Sequence, residues 1–359
     1  MVIKENIYND SDLSVVVHGR IESNLTKQCL ESIHKFLPKA EIILSTWENS
    51  NISDLEGLYN TLILNKDPEA TIFDDHEKKY NNLNRILVSA QSGINAASKK
   101  YILRLRSDLV LKNNNVLKLT DRFRIRISEK SLFKKRIFAY CIFSIKYDEK
   151  KQIKQRMLFH ISDWCHFGLK EDLQELFNVP KVIEPEFSRY FEVHKKEVND
   201  VHFSRIWKMS PEQYITSENA KKIFKNLNFE NYLDINNENI SLSDDFIINN
   251  FIVYSSQQWG IYPLKKQYKN IRMNIKNPIT YYSNFEQLKD YKKYCGNSVK
   301  LFNIEWLEMV YENKFYNSLR KHFFSLIYCK PSRKFSEILS TLFYLHKFLW
   351  TLFMCKIKS

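Results

Sequence analysis

Between Tyr101 and Val110 the chain reads Tyr-Ile-Leu-Arg-Leu-Arg-Ser-Asp-Leu-Val, an apolar strand pattern carrying Arg104, Arg106 and Asp108 at or near its end. Charges at the end of a buried strand are costly unless each has a partner or a ligand. An aspartate there can hold a divalent cation, and the cation can neutralise a diphosphate. Arginine suits phosphate through its fixed fork of donors. Asp108 is therefore a candidate metal ligand, and Arg106, with Arg85 upstream, a candidate phosphate ligand. An internal Arg–Asp ion-pair network that supports the fold is the other reading of these residues.

The elements around this cluster are those of a nucleotide-binding α/β unit. Leu13-Ser-Val-Val-Val17 is a short buried-strand run, and His18-Gly19-Arg20 is a turn. Asn24 to Phe36 has Leu25, Cys29, Ile33 and Phe36 on one helical face, and Pro38 ends it. Ala40-Glu-Ile-Ile-Leu-Ser45 is the next strand, so the three make a right-handed βαβ unit. Ligands of such sheets bind beyond the carboxyl ends of the strands, which selects Gly19, Arg20, Thr46 and Trp47. Asn81-Asn-Leu-Asn-Arg85 opens a second helix, apolar on one face through Leu83, Ile86, Leu87, Ala90, Ile94 and Ala97, interrupted by Gly93 and running into the arginine-bearing strand.

Composition sets the outer limits. With 44% apolar and 14% aromatic residues in 359, the chain is globular rather than disordered or low in complexity. Its six cysteines form no CxxC pair and read as reduced thiols. No signal-peptide pattern opens the sequence, which implies a cytoplasmic protein. A formal charge of +14 favours an anionic partner. Half of that excess lies after Phe315, where eight basic residues face the single acid Glu337. The same tail holds the apolar run Ile338 to Cys355, with His346 and Lys347 at its centre, a poor bilayer span. On a helix, Arg333, Ser336, Ser340, Lys347, Thr351 and Lys358 form a narrow polar stripe within an otherwise apolar surface. That is the layout of an interfacial helix on an anionic membrane surface, peripheral on the inner face of the plasma membrane. A helix packed on the protein's own core is the alternative.

Val15-Val-Val-His-Gly-Arg20, Ser45-Thr-Trp47, Asn81 to Arg85 with Gly93, and Lys100 to Asp108 together resemble the WavE family of lipopolysaccharide synthesis proteins. Ile161-Ser-Asp-Trp-Cys-His-Phe-Gly168, Ser210-Pro-Glu-Gln-Tyr-Ile215 and Asn249-Asn-Phe-Ile-Val253 continue the match, which covers roughly residues 12 to 270. The resemblance implies an α/β, GT-A-like, nucleotide-sugar-binding Rossmann-type fold with a mixed central sheet over residues 1–270. A mainly helical region, 271–359, follows, its tail from about 315 associating with membrane. It implies a glycosyltransferase that moves a sugar from a nucleotide-sugar donor to a lipid-linked saccharide or lipopolysaccharide acceptor in surface-polysaccharide (O-antigen) synthesis.

Carried over by residue, Asp108 matches the last aspartate of the metal motif, and Arg106 stands where its first aspartate would be. Two arrangements follow: Asp108 holds Mg²⁺ or Mn²⁺ together with the diphosphate, or Arg106 takes over the charge role. Glu212, just after Pro211 at a predicted helix start, resembles the acidic base of GT-A enzymes, and Asp163 is its rival. Beside Asp163, Trp164 suits a sugar face and His166 sugar hydroxyls. Asn84, with Arg85, falls in the donor-binding helix motif, and Lys265 is placed to reach the diphosphate from a loop. The alternatives are a sugar-phosphate transferase on the same fold and a basic nucleic-acid-binding protein. No nucleic-acid module is recognisable, so nucleic acid is not an expected partner.

Overall fold

The computed structural model describes residues 7–74, 78–150, 153–195, 205–265, 280–282 and 284–295, with 318–319, 322–323, 325–327 and 331–357 near the C-terminus. Two compact units divide the chain, Met1–Asn284 and Phe285–Ser359. The boundary expected at residue 270 lies outside the described residues.

In the first unit the order is β1 (Leu13–His18), α1 (Ser23–Phe36), β2 (Glu41–Trp47), β3 (Thr61–Asn65), β4 (Thr71–Asp74), β5 (Lys79–Asn81), α2 (Leu83–Ala96), β6 (Tyr101–Arg106) and β7 (Leu109–Leu111). It continues with β8 (Ile137–Tyr140), β9 (Ile145–Lys150), β10 (Ile153–Arg156), β11 (Cys165–Leu169), α3 (Lys170–Phe177), α4 (Tyr190–Val193), α5 (Pro211–Ile223) and α6 (Asn237–Asn250). The last elements are β12 (Phe251–Tyr254), α7 (Ser256–Trp259), β13 (Ile261–Pro263) and β14 (Thr280–Tyr281). Helix α8 (Asn284–Tyr294) spans the division, and α9 (Lys334–Ile357) belongs to the second unit.

Seven strands form one mixed sheet in the order β12-β8-β11-β6-β1-β2-β3. Strands β6, β1, β2 and β3 are parallel, while β11 runs antiparallel between β6 and β8. Every residue of β1 is buried, as an apolar run in a parallel sheet covered on both faces must be. The expected β1–α1–β2 unit and mixed α/β sheet are present. Because β11 is reversed, the residues just before it, Asp163 and Trp164, arrive at the edge where β1, β2 and β6 end.

The strand expected over Tyr101–Val110 is two strands. After Arg106 the chain turns: Ser107 donates its backbone N–H to the carbonyl of His18 and its hydroxyl to that of Arg20. It then leaves the sheet as β7, which pairs antiparallel with β13 in a separate ribbon. Asp108 thus sits in a turn at the sheet's edge. Helix α2 lies directly on β1 and β2 at Gly93, where an added Cβ would come within 2.5 Å of Val16 Cγ1 and 3.2 Å of Ser45 Cβ.

No described helix is long and apolar enough to cross a membrane. The side chains of α9 include Phe335, Ile338, Leu339, Leu342, Phe343, Leu345, Leu349 and Trp350, all exposed.

Val16 is β-branched and stiff, so it cannot swing away from a new methyl group. Gly93→Ala is expected to destabilise the first unit by roughly 1–3 kcal/mol, read as a lower midpoint in urea unfolding followed by circular dichroism.

Candidate active site at the carboxyl edge of the sheet

Arg106 is the last residue of β6 and opposes His18 of β1, so its side chain leaves the sheet at the edge. Its guanidinium grips Asp108 as a fork, Nε to Oδ1 at 3.0 Å and Nη2 to Oδ2 at 2.8 Å. One face of the guanidinium lies over the Trp164 ring, 4.3 Å from its centroid. Lys265, two residues beyond β13, reaches the same carboxylate at 3.3 Å and also pairs with Glu22. Burial would raise the Asp108 pKa, but the charges and hydrogen bonds of Arg106 and Lys265 outweigh it and hold the carboxylate ionised. For Lys265, burial works against the charged form, and the bond to Glu22 and the charge of Asp108 more than restore it.

Beneath this edge lies a buried polar layer. His166 of β11 is in register with Arg104 of β6, and both are fully enclosed. Arg104 donates from Nη1 to the backbone carbonyl of Asp163 and, at 3.1 Å, to His166 Nδ1, with its guanidinium 4.4 Å from the Phe177 ring centroid. His166 accepts through Nδ1 and is neutral, since burial and the Arg104 charge push its pKa down. Ser89 gives its hydroxyl hydrogen to the carbonyl of Arg85, so His18 must donate to it from Nδ1, at 2.9 Å. Among the described residues Arg104 Nε and Nη2 and His18 Nε2 have no hydrogen-bond partner. Burial lowers the Arg104 pKa only to about 10, so a cation remains at neutral pH.

Two carboxyl groups complete the site. Glu212 is the second residue of α5, whose start is fixed by a capping box between Ser210 and Gln213 with Pro211 in the first turn. Asp163 is buried just before β11. Its pKa is pushed up to about 7, first by burial and then by the charge of Glu212, against the opposing pull of Arg104 and Arg106. Burial raises Glu212 too, opposed by its own backbone N–H, by Ser210 and by the charges of Arg205 and Arg106. Arg106 therefore acts on Asp108, Asp163 and Glu212 together. A carboxyl poised near 7 suits a general base.

The other candidates divide. Gly19 turns the chain out of β1 at φ +105°, where a side chain would be strained, and donates its N–H to the carbonyl of Ser45. Arg20 is exposed beside it, and Thr46 and Trp47 close β2 at the same edge, Thr46 bonded to Ser50 at 2.9 Å. Trp164 is buried between Arg106 and Phe143, as an element of the site wall. Three candidates are otherwise engaged. Arg85 is held in a fork by Asp67, both bonds 2.7 Å. The side-chain amide of Asn84 is taken up at both ends by the backbone of Val182, at 3.0 and 2.9 Å. His166 is in the layer under the edge, bonded to Arg104, and not where a sugar hydroxyl would reach it. Sequence reasoning missed Glu22 and Arg205, since no local motif marks either, and it missed the depth of Arg104, which the alternation of β6 could have shown.

A family model described as WavE lipopolysaccharide synthesis matches residues 13–325. The chain belongs to this family. No curated protein matches it. Among solved structures, the catalytic domain of a Drosophila β1,4-galactosyltransferase in complex with xylobiose is 12% identical, with a TM-score of 0.24. A mutant of the same enzyme with manganese, UDP-Gal and xylobiose is 13% identical, at 0.25. Each match covers 46% of this chain and 51%, about half, of the other. At that score the description of the fold rests on the sheet order itself.

The metal expected on Asp108 meets an unsuitable donor set in this WavE-family chain. Both oxygens of the Asp108 carboxylate are bonded to cations, Arg106 on each and Lys265 on Oδ2. A divalent cation needs oxygen ligands, not ammonium and guanidinium neighbours.

The raised Asp163 pKa has a sign that can be checked. An unfolded aspartate titrates near 3.9, so this group's contribution to stability is present below that pH and is lost as the pH rises through about 7. Asp163→Asn removes the loss: the variant should melt higher than the wild type at pH 8 and close to it at pH 4, by differential scanning fluorimetry.

Proposed function

We propose that the chain is a glycosyltransferase that moves a sugar from a nucleotide-sugar donor to a lipid-linked oligosaccharide or lipopolysaccharide acceptor in the synthesis of bacterial surface polysaccharide, O-antigen included. The observation that carries this reading is the meeting, at one sheet edge, of two cations seated on the Asp108 carboxylate and a carboxyl near pKa 7. The donor lies across the ends of β1, β2 and β6. Gly19 leaves room for its backbone approach, and Arg20 and Arg106 face its phosphates. Asp163 takes the proton from the acceptor hydroxyl as that oxygen attacks the anomeric carbon. The bond from that carbon to the phosphate oxygen breaks, and its electron pair leaves with the diphosphate. Burial and, after it, the charge of Glu212 raise the basicity of Asp163, and Arg104 holds the Asp163 backbone in place.

The acceptor side is a lipid surface. Helix α9 carries a row of exposed apolar side chains, flanked by Arg333 and Lys334, with Lys347 midway. Such a helix gains by laying its apolar side into an anionic interface, at about 1 kcal/mol for each basic residue near the surface. The protein would then work as a peripheral enzyme on the inner face of the plasma membrane, where lipid-linked saccharides are within reach.

Two measurements test these halves. In a transfer assay with a panel of nucleotide sugars, kcat/KM should rise with pH through about 7. Asp163→Asn should lower kcat by about 10²-fold or more, whereas Glu212→Gln should stay active with its rise moved to lower pH, because the charge that raises Asp163 is gone. If Glu212→Gln alone abolishes turnover, the two roles are exchanged. In co-sedimentation, the full chain should bind phosphatidylglycerol vesicles, more weakly as salt rises, and leave phosphatidylcholine vesicles largely unbound.

A further inference from the structure

Lys265 lies 243 residues from Glu22 in sequence, yet its ammonium sits between the carboxylates of Glu22 and Asp108. That is where a cation held by two acids at the end of a nucleotide-binding strand would stand. Asp108 is almost fully buried, and its other contacts are the two parallel bonds from Arg106. One carboxylate therefore seats two fixed cations, and a second carboxylate steadies one of them.

We propose that Lys265 and Arg106, both seated on Asp108, are the built-in cations that hold the donor's diphosphate, so that the chain binds a nucleoside diphosphate without a divalent metal. The proposal rests on the transferase reading. An ammonium has three donors; Asp108 and Glu22 take two, and the third remains for a phosphate oxygen. Arg106 is 30% exposed on its side chain, and Asp108 and Trp164 hold its guanidinium flat, so the cation is fixed in place before the ligand arrives. Local charge balance is the obvious objection, since Asp108 and Glu22 offset Arg106 and Lys265. Arg104 adds a third cation beneath the edge, a buried guanidinium bonded to a carbonyl and a neutral imidazole rather than to a carboxylate. When the anomeric bond breaks, the electron pair on the departing phosphate oxygen meets cations already in position, and no reorganisation is needed. Asp108 is thus a positioning residue for two cations and not a metal ligand.

Isothermal titration calorimetry on the full chain with UDP, GDP and ADP, each in MnCl₂, in MgCl₂ and in EDTA, tests this. At least one nucleotide should bind, with a Kd the same within twofold in all three conditions. Lys265→Gln should weaken that binding at least about tenfold, the loss of one hydrogen bond to a charged group. Arg106→Asp, which sets a second carboxylate two residues before Asp108, should bind only when Mn²⁺ or Mg²⁺ is present. Binding by the wild type that disappears in EDTA would overturn the proposal and leave the transferase reading standing. Full binding by Lys265→Gln in EDTA would also overturn it. Absence of binding by any nucleotide in every condition would contradict the transferase reading, and this proposal with it.

Discussion

A guanidinium forked onto a carboxylate two residues away needs a chain that turns sharply between them, and in this protein the turn is where the central sheet ends. Arg106 is the last residue of β6, Ser107 is tied back to His18 and Arg20, and Asp108 swings under the fork before β7 departs. The neighbouring parts of the site depend on that geometry. Trp164 packs on the guanidinium because β11 is antiparallel to β6 and delivers it to the same edge. Lys265 joins Asp108 because β13 pairs with β7. Asp163 and Glu212 both lie within the field of Arg106.

The site holds charge in two ways that differ in cost. At the edge, Asp108, Arg106, Lys265 and Glu22 compensate one another, and the pairing outweighs the desolvation of a nearly buried carboxylate. Below it, Arg104 is buried without a carboxylate bonded to it, and Asp163 is buried against another acid. Uncompensated groups of this kind reduce stability and are kept where they act on a ligand. The raised Asp163 and the buried Arg104 make one arrangement: the carbonyl of Asp163 is fixed by the cation whose charge also moderates its acidity.

Local pattern made much of this visible in the sequence. The all-buried run Leu13 to Val17 with its following turn and helix marked the β1–α1–β2 unit, and Ser-Pro-Glu-Gln marked the start of α5. What pattern could not show was partnership across the chain. Nothing near Lys265 signals Glu22 or Asp108, because their meeting depends on a β7–β13 ribbon of three residues a side. Nothing near Asn84 or Arg85 signals that Val182 and Asp67 already occupy them. The pattern over Tyr101–Val110 is that of one continuous strand, because Ser107 and Asp108 do not break an apolar pattern by themselves. The bonds from Ser107 to the loop after β1 turn the chain there, and those are tertiary.

The central claim is that the edge around Arg106 receives a nucleotide's diphosphate. A crystal structure of the chain with the nucleoside diphosphate that binds it tests this most directly. The account predicts phosphate oxygens within hydrogen-bonding distance of the Arg106 guanidinium and of Lys265 Nζ, with the nucleoside over the ends of β1 and β2. A diphosphate bound elsewhere, with the Arg106–Asp108 fork untouched and solvent above it, would contradict it.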